Sequence, residues 1–189
     1  MRWILLVAAL VAGCAPSVPE APPATTVYLV RHAEKAAEPA DDPPLPAQGA
    51  ARAAALAEQL AGAEIRAVYS SQYVRSHTTV APLAARLGLE VTTLPLAGPD
   101  VAATLRAQAR QVAAENAGGA AIVAGHSNTV PTMIAELTGE PMDDLDESEY
   151  GDLFVVTIAA DGSATDPASG PRRGRRAHRV FRRARHCGR

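Results

Sequence analysis

Apolar runs separated by polar and glycine-rich breaks divide the chain between Thr25 and Ile158 into a regular series. Val27-Tyr28-Leu29-Val30 is continuous, apolar and rich in β-formers, which predicts a strand buried on both faces. Glu38 to Pro46, full of proline and aspartate, predicts a loop. Gln48 to Leu60 is alanine-rich, with Leu56 and Leu60 one helical step apart, and Gly62 follows as a stop. Ile65 to Tyr69 predicts a second strand. Val74 to Leu87 predicts a helix with Val80, Leu83, Ala84 and Leu87 on one face and Gly88 at its C-terminus. Val91 to Leu94 reads as a strand. A helix running to about Ala117 follows Asp100, and Gly118-Gly119 ends it. Ala120 to Ala124 is another buried strand. Thr129 to Leu137 is a helix that tolerates Pro131 in its first turn, and Leu153 to Ile158 is a last clear strand before an Asp161-Gly162 turn. No internal repeat is present. This alternation implies an α/β fold, a three-layer sandwich with a mostly parallel central sheet flanked by helices.

The two ends of the chain do not share this pattern. Trp3 to Val11 is apolar but shorter than the roughly 20 residues a spanning helix needs. With Arg2 before it and Val11-Ala12-Gly13-Cys14 after it, it reads as a signal peptide over residues 1–13. The last four residues resemble a bacterial lipoprotein cleavage box. That resemblance implies cleavage before Cys14, a lipid on its sulfur, and an exported protein anchored to a membrane. Residues 14–24, with Pro16, Pro19, Pro22 and Pro23, read as a semi-extended tether. The domain spans residues 25–162. Residues 163–189 form an arginine-rich tail without apolar periodicity, expected to be disordered and to add no closing strand. Cys14 and Cys187 are the two cysteines, both outside the domain, so no structural disulfide is expected.

Charge follows the same division. All 20 acidic residues lie at or before Asp166, and nine of the 18 basic residues are arginines from Arg172 onward. The body through Gly170 therefore carries −11 and the tail +9, although the chain as a whole carries only −2. An acidic body argues against nucleic-acid binding by the domain, whereas the tail alone suits polyanions. Hydrophobic residues make up 48 %, enough for an ordinary core.

The chemistry concentrates where strands end. The first strand runs into Arg31-His32, and the strand from Ala120 runs into Gly125-His126. The strand ending at Tyr69 leads into Ser70-Ser71 and then Arg75. Ligands of open α/β sheets bind beyond the carboxyl ends of strands, so two imidazoles and two guanidiniums are expected at one edge. Such a cluster calls for an anion, and arginine forks match phosphate oxygens. The two arginines disfavour a metal between His32 and His126, and no other metal or cofactor motif is evident.

These residues resemble the histidine phosphatase superfamily. Val30-Arg31-His32-Ala33-Glu34-Lys35 is similar to its Arg-His-Gly signature, with alanine for glycine. Ser70-Ser71-Gln72-Tyr73-Val74-Arg75 with Thr79 is similar to its second arginine motif, and Gly125-His126-Ser127-Asn128-Thr129 to its second histidine motif. The resemblance implies a phosphoglycerate mutase-like fold and metal-independent hydrolysis of a phosphorylated substrate. His32 would be phosphorylated, and Arg31, Arg75 and His126 would hold the phosphoryl oxygens. It also implies a carboxylate acid beside the leaving oxygen. Asp100 is the candidate, alternatively a plain helix cap, with Glu149 and Asp152 next in line. Glu34 and Lys35 are expected at the pocket rim and His77 on the surface. His178 and His186 belong to the tail. Three functions stay open: a phosphomonoesterase, a protein phosphohistidine phosphatase, and a non-catalytic anion-binding lipoprotein. A mutase fits less well, given the export signal and short loops.

Overall fold

A computed structural model describes residues 23–160 and the backbone of 178–179. The signal peptide, Cys14, most of the tether, the Asp161-Gly162 turn, Cys187 and the rest of the tail lie outside the described residues. Ten elements follow in order: β1 (Thr25–Arg31), α1 (Ala47–Gln59), β2 (Ile65–Ser70), α2 (Val74–Leu87), β3 (Val91–Thr93), α3 (Val101–Glu115), β4 (Ala120–Gly125), α4 (Thr129–Thr138), β5 (Leu153–Ile158) and β6 (His178–Arg179). The sheet order is β3-β2-β4-β1-β5-β6. The four strands from β3 to β1 are mutually parallel, while β5 and β6 join antiparallel, so the sheet is mixed.

The pleat of β1 and β4 builds two cores. Val27, Leu29, Ala121 and Val123 face Leu105, Val112, Val130, Ile134 and Leu137 of α3 and α4. Val30, Ile122 and Ala124 face Ala57, Val80, Leu83 and Ala84 of α1 and α2. Alternate residues serve opposite faces, which is why these strands read as unbroken apolar runs. The result is the expected three-layer sandwich. Helix α2 ends as anticipated, with Gly88 left-handed at φ 68°.

The tail departs from expectation. It contributes β6, in which His178 and Arg179 pair with Val155 and Phe154 of β5. Edge pairing uses backbone groups, and two residues are too few to leave a hydrophobic period.

Candidate active site

Strands β1 and β4 are neighbours in parallel register, with Arg31 opposite Gly125. The chain leaves both strands at the same edge, and the His32 N–H donates to the Gly125 carbonyl at 2.9 Å. The two imidazoles thus meet edge to face with centroids 5.2 Å apart. Gly125 is required here, because a Cβ would lie 2.6 Å from Thr129 Oγ1. That hydroxyl accepts the His126 N–H at 2.7 Å and fixes the backbone of the second histidine.

His32 is 4 % exposed, and its Nδ1 lies 2.8 Å from the Ala33 carbonyl oxygen. A carbonyl only accepts, so Nδ1 carries the hydrogen and the Nε2 lone pair stays available. Burial lowers the His32 pKa to about 4, helped by Arg31, Arg75 and Lys35 and opposed by the Ala33 hydrogen bond. Burial, then the charges of His32 and Arg75, lower His126 to about 3. Both rings are neutral at neutral pH, and each is perturbed by desolvation first. His126 Nε2 lies 2.8 Å from Ser71 Oγ and 3.5 Å from Ser76 Oγ.

The loop after His32 is held from three sides. Thr79 Oγ1 accepts the Ala33 N–H at 2.9 Å and donates to the Arg75 carbonyl at 2.7 Å, tying the first motif to the second. Glu34 takes hydrogen bonds from Arg52 and Gln48, and this pairing with Arg52 lowers its pKa. Helix α1 packs so closely that a Cβ on Gly49 would lie 2.4 Å from the Glu34 carbonyl oxygen.

The two arginines are engaged differently. Arg75 lies over the Tyr73 ring at 4.3 Å and has one weak contact to Asp42 at 3.5 Å. The side chain of Arg31 is 2 % exposed and carries the loop between α4 and β5. Its Nη1 donates to the carbonyls of Asp146 at 2.8 Å and Glu149 at 3.0 Å, its Nη2 donates to Glu147 at 2.8 Å, and the guanidinium sits 4.2 Å from the Tyr150 ring centre. The Nε of Arg31 and of Arg75 is buried without a hydrogen-bond partner. A buried orphan donor is costly, and a bound anion removes that cost.

A cavity of about 300 Å³ is lined by His32, Lys35, Arg75, His126, Ser127 and Glu147, among others, with Tyr73, Leu96 and Val101 as a less polar wall. Arg31 lines a different cavity, of about 340 Å³, with Thr79, Tyr150 and Asp152. Three of the four residues of the expected cluster therefore line one pocket, and Arg31 does not; its guanidinium holds the α4–β5 loop. His77 is exposed, as anticipated.

Asp100 is exposed and accepts the Ala103 N–H at 2.8 Å, which makes it the N-cap of α3. It is not among the residues lining the His32 cavity. Neither Glu149 nor Asp152 lines it; Glu147 does. Glu147 was missed because nothing local separates it from its acidic neighbours. Tyr73 lies inside the second motif, but its contact with His126, ring centres 5.2 Å apart, is not legible from spacing. Among the described residues no group of three or more His, Cys, Asp or Glu is arranged to hold a metal ion.

The sequence model of the histidine phosphatase superfamily (branch 1) matches residues 27–96, which include Arg31, His32 and Arg75. A structure of the protein histidine phosphatase SixA complexed with tungstate is similar at 27 % identity and TM-score 0.55, covering 74 % of this chain and 92 % of that one. A putative phosphohistidine phosphatase from Nakamurella multipartitia shares the fold at 23 % identity and TM-score 0.56, covering 86 % of this chain and 100 % of that one. A mycobacterial glucosyl-3-phosphoglycerate phosphatase in complex with VO3 shares it at 17 % identity and TM-score 0.61, covering 82 % and 97 %. No curated protein matches the chain.

Proposed function

We propose that the chain is a member of the histidine phosphatase superfamily that hydrolyses a phosphomonoester through a phosphohistidine on His32, a reading supported by the match over residues 27–96 and the likeness to a protein histidine phosphatase. The observation that carries this reading is the state of His32. Its Nδ1 is committed to the Ala33 carbonyl, its ring is neutral, and its free Nε2 belongs to a ring facing the second histidine. That is the form a nucleophilic imidazole needs. Nε2 attacks phosphorus as the bond to the leaving oxygen breaks. Arg75 and His126, which line the cavity with His32, hold the equatorial oxygens, where charge is spread in the transition state, while Arg31 anchors the loop that carries Glu147. Water then displaces the imidazole. In this reading the residues supply the charge themselves and no metal takes part.

The His32→Ala protein should fold and lose turnover, while acid-labile, base-stable phosphate is trapped on the wild type. Wild-type turnover by His32→Ala would refute the mechanism. The likeness to a protein histidine phosphatase supports a second reading, in which the substrate is a phosphohistidine on another protein. Competition between phosphohistidine and nitrophenyl phosphate, compared as kcat/KM, separates the two. For location, the sequence around Cys14 supports an exported lipoprotein held to a membrane by its lipid. Failure of a labelled fatty acid to enter the protein would refute that.

A further inference from the structure

We propose that Glu147 is the base that takes the proton from the water hydrolysing phospho-His32, and that the site therefore favours phosphates whose leaving group departs without a proton. The inference rests on the phosphatase reading above. Glu147 is the one carboxylate among the described residues lining the cavity with His32 and His126. Both of its oxygens are anchored: Oε2 accepts from Arg31 Nη2 at 2.8 Å, and Oε1 accepts from the hydroxyl of Ser127, the residue after His126. The carboxylate thus connects the arginine before the first histidine to the segment of the second. Its side chain is 74 % exposed, so water reaches it freely. The Ser127 hydrogen bond and then the Arg31 charge hold its pKa below the ordinary glutamate value. Donors on both oxygens keep it ionised at neutral pH, so it is open to accept a proton and has none to donate, although the same donors weaken it as a base.

The step balances without a further reactant. Water oxygen bonds to phosphorus as the phosphorus–Nε2 bond breaks. The electron pair returns to Nε2, leaving His32 neutral with its hydrogen still on Nδ1. One water proton passes to Glu147, which releases it to solvent. In the earlier step the leaving group takes its electron pair and receives no proton from Glu147. Phosphoramidates, whose nitrogen is already protonated, and aryl or acyl phosphates meet that condition; alkyl phosphates do not.

The test is rapid-mixing kinetics on the full chain with nitrophenyl phosphate and an alkyl phosphate, comparing wild type, Glu147→Gln and Glu147→Asp. Glutamine still accepts from Arg31 but takes no proton. Glu147→Gln should release one equivalent of nitrophenolate at the wild-type rate and then stall. Its steady state should fall by about 10²–10⁴-fold, with phosphate accumulating on His32 and partial recovery in Glu147→Asp. An unchanged steady state in Glu147→Gln would overturn the proposal. So would a burst slowed as much as the steady state, the mark of a residue that only positions Arg31, or a loss confined to the alkyl phosphate, the mark of a general acid. A wild type that hydrolyses neither substrate would instead refute the phosphatase reading, and this inference with it.

Discussion

Protonating His32 should stop the reaction, and the structure sets where that happens. The proton would land on Nε2, because Nδ1 already holds one against the Ala33 carbonyl. Burial puts this pKa at about 4 instead of 6.5. At pH 5 an imidazole with the ordinary pKa is about 3 % neutral, whereas one titrating at about 4 is about 90 % neutral, a roughly 30-fold difference in nucleophile. Activity should therefore stay nearly flat down to about pH 5 and fall through about 4. His126, at about 3, titrates together with it, so the acid limb is a property of the pair. The assay is kcat/KM for nitrophenyl phosphate against pH, with the substrate's own ionisation measured and divided out, since this parameter reports the free enzyme. Ring-proton shifts followed by NMR give the same titration directly. Folding stability should move in the same direction. Unfolded imidazoles protonate near 6.5, so the unfolded state binds more protons below that value and stability falls with pH, continuing until the folded pair titrates. A midpoint near 6.5 for the acid limb and for both rings would refute the reasoning, because it would mean that water reaches these side chains.

Gly125→Ala should lower stability by about 1–3 kcal/mol in a denaturant titration, because the new Cβ displaces Thr129 Oγ1 and frees the His126 N–H; an unchanged midpoint would show that the contact relaxes. Asp100→Asn should leave stability and turnover of both alkyl and nitrophenyl phosphates near normal, while Asp100→Ala should cost about 1 kcal/mol of stability. A collapse of alkyl phosphate turnover in Asp100→Asn would give the residue the role of general acid. Turnover should be unaffected by excess chelator, and a loss reversed by adding a divalent cation would show metal dependence.

By itself, the sequence determined the elements and the direction in which they point. Residues in β1 and β4 are apolar without alternation because helices cover both faces of the sheet, and that pattern is local. Gly88 after Leu87 marks the end of α2 because only a left-handed residue closes that turn readily. His32 and His126 were legible as candidate site residues because each directly follows a strand, whatever its neighbours. What the sequence left open are relations between distant segments. That β4 lies beside β1 with Gly125 opposite Arg31 is a matter of backbone pairing, which carries no residue code. The same holds for the antiparallel turn of β5 and for β6 at the edge. Asp100 and Glu147 make the contrast plainest. Both are exposed acids near loop ends, but one closes its own helix across three residues, and the other reaches an arginine 116 positions away. Helix capping is decided within a turn of chain. Which carboxylate faces the histidines is decided by how the α4–β5 loop wraps a buried guanidinium, and only the packed tertiary structure contains that.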